Sequence, residues 1–139
     1  MDRVNELYSV AEDSGIEVYN FPLPNTGSMS IEVNGRCCIG MDSTRRFTRA
    51  EEAARLGHEL GHCLYGGFYT KTTPFDLRER HEVRADRWYI LNYIPEDKLM
   101  VMLKAGMDAY EIAEALDTTE EYIRRAYYYY KDVRGGVFH

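Results

Sequence analysis

The chain carries the stretch His58-Glu59-Leu60-Gly61-His62 near its middle. This stretch fits the pattern H-E-x-x-H, in which two histidines bind a metal ion and the glutamate handles protons. Residues four positions apart project from the same face of an α-helix, so both imidazole rings can reach one ion. The competing interpretation is a polar helix face that carries solvated histidines.

The residues that flank this motif predict an α-helix over about residues 49–65. Thr48 and Glu51 form a capping-box pattern, in which each side chain accepts a hydrogen bond from the backbone N–H of the other residue. Gly57 and Gly61 lie inside the predicted helix, where each glycine costs roughly 1 kcal/mol relative to alanine. Close approach of a neighbouring strand would explain why glycine stands at these positions.

The sequence before the motif predicts one helix and three strands. Residues 2–14 have the spacing of an amphipathic helix, and short apolar runs predict strands at Ile16–Phe21, Ser28–Val33 and Arg36–Met41. Asn34-Gly35 would join the last two strands as a tight hairpin. An α+β fold is therefore expected, with a small, mostly antiparallel sheet packed on the motif helix. Either hairpin strand could bind a substrate backbone by strand addition.

A third metal ligand is expected downstream of the motif, because a catalytic zinc usually has three protein ligands and one position for water. The extended pattern H-E-x-x-H-x-x-G-x-x-H is absent, since positions 65 and 68 hold neither Gly nor His. Glu82 is the candidate ligand, 20 residues after His62 on the next predicted helix. Asp86 would accept a hydrogen bond from the outer ring N–H of His58. Alternatively, both carboxylates are ordinary solvated charges.

These motifs resemble those of the ImmA/IrrE metallopeptidases. That family combines H-E-L-G-H, E-x-x-A-[DN] and an aliphatic residue before proline, which match residues 58–62, residues 82–86 and Ile94-Pro95. The resemblance covers about residues 1–104 and implies a minimal zincin-like domain. It also implies a cytoplasmic, site-specific protease that acts on a helix-turn-helix repressor of a phage or mobile element.

Motif and resemblance together predict a zinc-dependent endopeptidase with one Zn²⁺ per chain, bound by His58, His62 and Glu82. Glu59 would take a proton from water and deliver it to the leaving amine. Three residues close to the motifs are candidate donors to the oxyanion: Tyr65, Tyr69 and His81. Two functions compete with this one, a regulator with little turnover on the same scaffold and a structural zinc domain. The presence of Glu59 argues against the structural domain, which needs no base.

The region after residue 106 predicts a pair of helices over Ala109–Tyr130. D-x-x-E at 108–111 and T-x-x-E at 118–121 are typical helix starts, and the spacing resembles a helix-turn-helix unit with Asp117 in the turn. DNA binding is disfavoured by the net charge of −6, because phosphate contacts need clustered Lys and Arg. The pair is expected to pack on the core or to bind a protein partner.

The length of 139 residues predicts one domain. We expect residues 1–106 to form the metallopeptidase domain, residues 107–133 to form a helical pair packed on it, and residues 134–139 to form a tail. No run of residues is apolar enough to span a membrane, and the N-terminus lacks a signal-peptide pattern.

The chain has three cysteines, Cys37, Cys38 and Cys63. An odd number, with two of them adjacent, predicts reduced thiols in a cytoplasmic protein. Cys37 or Cys38 as a zinc ligand is an alternative, although neither belongs to a C-x-x-C pair.

Overall fold

The computed structural model describes the backbone of residues 2–65 and 75–133, and the side chains of residues 2–65 and 82–132. Within these ranges the fold is α+β, with six α-helices and one three-stranded sheet. The elements in chain order are α1 (Arg3–Asp13), β1 (Glu17–Asn20), β2 (Ser28–Val33), β3 (Arg36–Met41), α2 (Arg49–Tyr65), α3 (Phe75–Tyr93), α4 (Glu96–Lys104), α5 (Ala109–Leu116) and α6 (Glu120–Tyr128). No described helix is both long and apolar enough to cross a membrane.

The sheet is mixed, with the strand order β1-β3-β2. β3 pairs antiparallel with β2 and parallel with β1, so the prediction of a mostly antiparallel sheet is corrected. β3 takes the central position because it supplies the buried side chains Ile39 and Met41, whereas Ile31 and Val33 of β2 are exposed. The predicted bounds of β2 and β3 are confirmed, and β2 is an edge strand beside α2.

The capping box predicted at the start of α2 is present. The Thr48 N–H donates to Glu51 Oε1 at 2.9 Å, and the Glu51 N–H donates to Thr48 Oγ1 at 3.1 Å. These bonds satisfy backbone donors that the first turn of a helix leaves without partners. The helix begins at Arg49 and ends at Tyr65, as the sequence predicts.

The glycines inside α2 allow close contact with α3. A Cβ atom at Gly61 would overlap the backbone of Ala85, and a Cβ atom at Gly57 would overlap the ring of Tyr89. The predicted close approach is therefore confirmed, but the neighbour is a helix rather than a strand. The short distance between the two helices brings their facing side chains together.

α5 packs against α6, and α6 contacts α3 through Tyr122. Asp108 and Glu111 form a capping box at the start of α5, and Asp117 adopts a left-handed conformation (φ 54°) in the turn. α6 starts one residue later than predicted, because Thr119 rather than Thr118 accepts the hydrogen bond at the helix start. Two adjacent threonines can both serve as caps, so the local pattern alone does not choose between them.

A tertiary contact explains why Thr119, and not Thr118, caps α6. The Tyr89 hydroxyl on α3 donates to Thr118 Oγ1 at 2.9 Å, and both side chains are buried. A buried polar group needs such a partner. The bond therefore holds the turn between α5 and α6 against α3.

The cysteine prediction is wrong for two of the three residues. Cys37 on β3 and Cys63 on α2 form a disulfide with a Cα–Cα distance of 5.5 Å, and Cys38 is a free thiol. The bond links the central strand of the sheet to the motif helix. Disulfides persist mainly in oxidising compartments, so the cysteines no longer support a cytoplasmic location.

Candidate metal centre

Two helices bring the three predicted metal ligands together. His58 and His62 project from α2, and Glu82 projects from α3. His58 Nε2 lies 2.7 Å from Glu82 Oε2, and His62 Nε2 lies 3.1 Å from Glu82 Oε1. Possible ligand atoms of these residues all lie within 4.8 Å of one another, so this group could hold a metal ion.

The spacing of the two histidine nitrogens fits a tetrahedral ion. The two Nε2 atoms of His58 and His62 lie 3.2 Å apart. Two nitrogens bound to zinc at about 2.05 Å with a tetrahedral angle would lie about 3.3 Å apart. Two imidazoles and one carboxylate are also the donor set of many catalytic zinc sites. The alternative of a cysteine ligand is not supported. Cys37 is bonded to Cys63 in a disulfide, and Cys38 does not belong to the ligand group found among the described residues.

Asp86 lies behind His58, on the side away from the ligand group. The Nδ1 atom of His58 lies 2.8 Å from Asp86 Oδ1. An ionised carboxylate only accepts hydrogen bonds, so Nδ1 carries the proton and Nε2 faces His62 and Glu82. This is the geometry that the sequence predicts for Asp86.

The electrostatics of the site favour a positive charge between the carboxylates. Burial lowers the pKa of His58, but hydrogen bonds to Asp86 and Glu82 outweigh burial and raise the pKa to about 10. Burial raises the pKa of Asp86, whereas the hydrogen bond to His58 lowers it, and the net direction is downward. The metal-free site thus holds a protonated imidazole, and a bound cation would replace that proton.

Glu59 is buried at the inner wall of the same site, with 6% of its surface exposed. The Ser28 hydroxyl on β2 donates to Glu59 Oε2 at 2.9 Å. This bond holds one oxygen of the carboxylate in place. The first residue of the edge strand therefore contacts the predicted base.

A cleft of about 320 Å³ opens beside these residues. Ser28 and Arg55 line one part of it, His58 and Glu59 line the floor, and α6 forms the opposite wall with Tyr122 and Arg125. Because β2 is an edge strand and begins at this cleft, it is the better placed of the two hairpin strands to receive an extended peptide.

Of the three candidate oxyanion donors, Tyr65 has a described side chain, and it does not line this cleft. Tyr65 is 37% exposed at the end of α2, and its ring lies 5.7 Å from the Arg87 guanidinium rather than along the cleft. Tyr69 and the side chain of His81 lie outside the described residues.

The sequence did not identify three residues that line the site, namely Ser28, Tyr122 and Arg125. The Tyr122 hydroxyl donates to Asp86 Oδ1 at 2.7 Å, and Arg125 Nη1 donates to Asp86 Oδ2 at 3.0 Å. Burial and the charge of Asp86 raise the pKa of Tyr122 well above its ordinary value, so its hydroxyl stays protonated and can donate. No local sequence pattern indicates that Arg125 turns inward towards Asp86.

No protein-family model, curated protein or solved structure matches this chain. The family resemblance drawn from the motifs therefore stays a prediction.

Proposed function

We propose that this protein is a zinc-dependent endopeptidase with a minimal zincin-like fold, related to the ImmA/IrrE metallopeptidases. The observation that carries the proposal is the convergence of His58, His62 and Glu82 beside the buried carboxylate of Glu59. A structural metal site has no need of such a base. Zinc suits this donor set best, although other divalent ions accept similar ligands.

A metal bound by this group would polarise the scissile carbonyl and make the attacking water more acidic. Glu59 takes the proton as water attacks and then protonates the leaving amine. Ser28 keeps the Glu59 carboxylate in one orientation through its hydrogen bond. Asp86 fixes the tautomer of His58, so that its Nε2 atom stays directed at the ligand group.

An extended peptide would bind along β2, whose outer edge has no strand partner among the described residues. Backbone hydrogen bonds to the strand would place the scissile bond beside Ser28 and Glu59. Following the family resemblance, we propose a helix-turn-helix repressor of a phage or mobile element as the substrate. The resemblance also implies action in the cytoplasm, where the Cys37–Cys63 pair would be reduced.

The alternative is a regulator with little catalytic turnover that binds protein or DNA through its C-terminal helices. The described contacts favour the peptidase, because the basic side chains of α6 are already paired. Arg125 pairs with Asp86 and with Glu121, and Arg124 lies 3.6 Å from Glu120. Phosphate contacts would have to displace these carboxylates.

The proposal is tested by zinc content and cleavage in three proteins: wild type, Glu82→Ala and Glu59→Gln. We expect about one zinc per chain in wild type, little in Glu82→Ala, and about one in Glu59→Gln. Cleavage of the repressor encoded beside this protein should occur with wild type only. Wild type without zinc after reconstitution would refute the metal centre. Equal cleavage by wild type and Glu59→Gln would refute the assigned base.

A further inference from the structure

The carboxylate of Asp86 receives hydrogen bonds from three side chains. Its Oδ1 atom accepts from His58 Nδ1 at 2.8 Å and from the Tyr122 hydroxyl at 2.7 Å. Its Oδ2 atom accepts from Arg125 Nη1 at 3.0 Å. Two of the three donors come from α6, which follows Asp86 by more than 30 residues. Both oxygens are thus held, and the plane of the carboxylate is fixed.

We propose that Tyr122 and Arg125 are positioning residues of the metal centre, acting on the ligand His58 through Asp86. The inference rests on the metal centre of the proposed function. A carboxylate with one partner can rotate about its terminal torsion, whereas three donors on two oxygens leave one orientation. That orientation sets the tilt of the His58 ring and hence the direction of its Nε2 atom.

Charge supports the same role. The Arg125 guanidinium balances the Asp86 carboxylate, which lies in a largely buried position beside His58. Arg125 is in turn held by Glu121, whose Oε1 atom lies 2.6 Å from Nη2. The guanidinium also lies over the ring of Tyr122, 4.8 Å from its centroid. Tyr122 and Arg125 therefore contact each other as well as Asp86, and each restricts the orientation of the other.

The contribution of the Tyr122 hydroxyl can be measured apart from that of its ring. The ring is 6% exposed and packs edge-on against Tyr89 with a centroid distance of 5.0 Å. Tyr122→Phe keeps this packing and removes only the donor. Its matched control is Tyr128→Phe, at an exposed tyrosine of the same helix.

Arg125 also has a matched control. Arg125→Met removes the guanidinium and keeps a long side chain, and Arg125→Lys restores a single donor. Arg124→Met removes the neighbouring arginine, which contacts Glu120 rather than Asp86.

The test measures zinc affinity by competition with a chromogenic chelator, at a temperature where circular dichroism shows every variant folded. We expect about tenfold weaker binding in Tyr122→Phe and Arg125→Met, the low end of the effect of outer partners of metal ligands. Arg125→Lys should recover part of the loss, and both control variants should bind as wild type does. The visible spectrum of the Co²⁺-loaded protein should change in Tyr122→Phe and not in Tyr128→Phe.

A double-mutant cycle decides whether the effect passes through Asp86. In an Asp86→Ala background, Arg125→Met should cause no further loss of zinc affinity, because Arg125 reaches His58 through Asp86. An undiminished loss in that background would overturn the inference. Wild-type affinity in both Tyr122→Phe and Arg125→Met would also overturn it and leave the proposed function standing. Wild type that binds no zinc would overturn both.

Discussion

Gly61→Ala tests whether close contact between α2 and α3 builds the metal centre. A Cβ atom at position 61 would lie 2.7 Å from the carbonyl carbon and 2.8 Å from the Cα atom of Ala85. Ordinary carbon contacts are about 3.5–4.0 Å. The helices must therefore separate by roughly 1 Å, because the atoms in the way belong to the backbone and cannot rotate aside.

The expected change in the free energy of unfolding combines a destabilising and a stabilising contribution. Overpacking costs typically about 1–3 kcal/mol, and alanine in place of a mid-helix glycine returns about 1 kcal/mol. We expect a net loss of up to about 2 kcal/mol, or a fall in Tm of up to roughly 7 °C for a chain of this length. Zinc affinity should fall more than stability, because His62 and Glu82 lie on opposite helices and metal distances tolerate about ±0.2 Å.

The assay combines thermal unfolding of the metal-free protein, followed by circular dichroism, with chelator competition for zinc. Gly57→Ala is the comparison, since its added methyl group would meet the ring of Tyr89 rather than backbone. Gly57→Ala should disturb the packing between the helices but lower zinc affinity less than Gly61→Ala does. A Gly61→Ala protein that is more stable than wild type and binds zinc equally well would refute the reasoning.

Three further changes have defined outcomes. Reduction of the Cys37–Cys63 bond, whose cysteines lie 26 residues apart in sequence, should lower the free energy of unfolding by about 3.5 kcal/mol on the chain-entropy estimate. An unchanged denaturant midpoint with dithiothreitol would contradict this. The pKa of His58 is raised to about 10, so its contribution to the stability of the metal-free protein is complete below about pH 6.5 and is lost as pH rises towards 10. Urea midpoints across this range should fall more in wild type than in His58→Gln, and equal slopes would contradict the assignment. Thr48→Ala should cost about 1 kcal/mol through loss of the cap on α2, and a calorimetric Tm equal to that of wild type would count against it.

The sequence predicted the elements whose signals are local. The bounds of α2 follow from its capping box, and the hairpin of β2 and β3 follows from Asn34-Gly35 and the flanking apolar runs. The three metal-ligand candidates also follow from short spacings, two on one helix face and one on the next helix. Each of these signals lies within about 20 residues of the feature that it predicts.

The parts that sequence reasoning missed depend on contacts between distant residues. The disulfide joins residues 26 apart, and Tyr122 and Arg125 reach Asp86 from 36 and 39 residues away. The parallel pairing of β1 with β3 likewise depends on which strand supplies the buried side chains. Periodicity describes the faces of an element, and it does not specify which distant side chain completes a hydrogen bond.

The position of α6 late in the chain has a consequence for biosynthesis. Arg125 follows Asp86 by 39 residues, so at about 5–20 residues per second the ribosome adds it roughly 2–8 s later. During that interval both histidines and Glu82 have been synthesised, but the two donors that orient Asp86 have not. A metal ion at the candidate site would therefore be held tightly only after α6 has docked, which would couple metal loading to the synthesis of this part of the polypeptide.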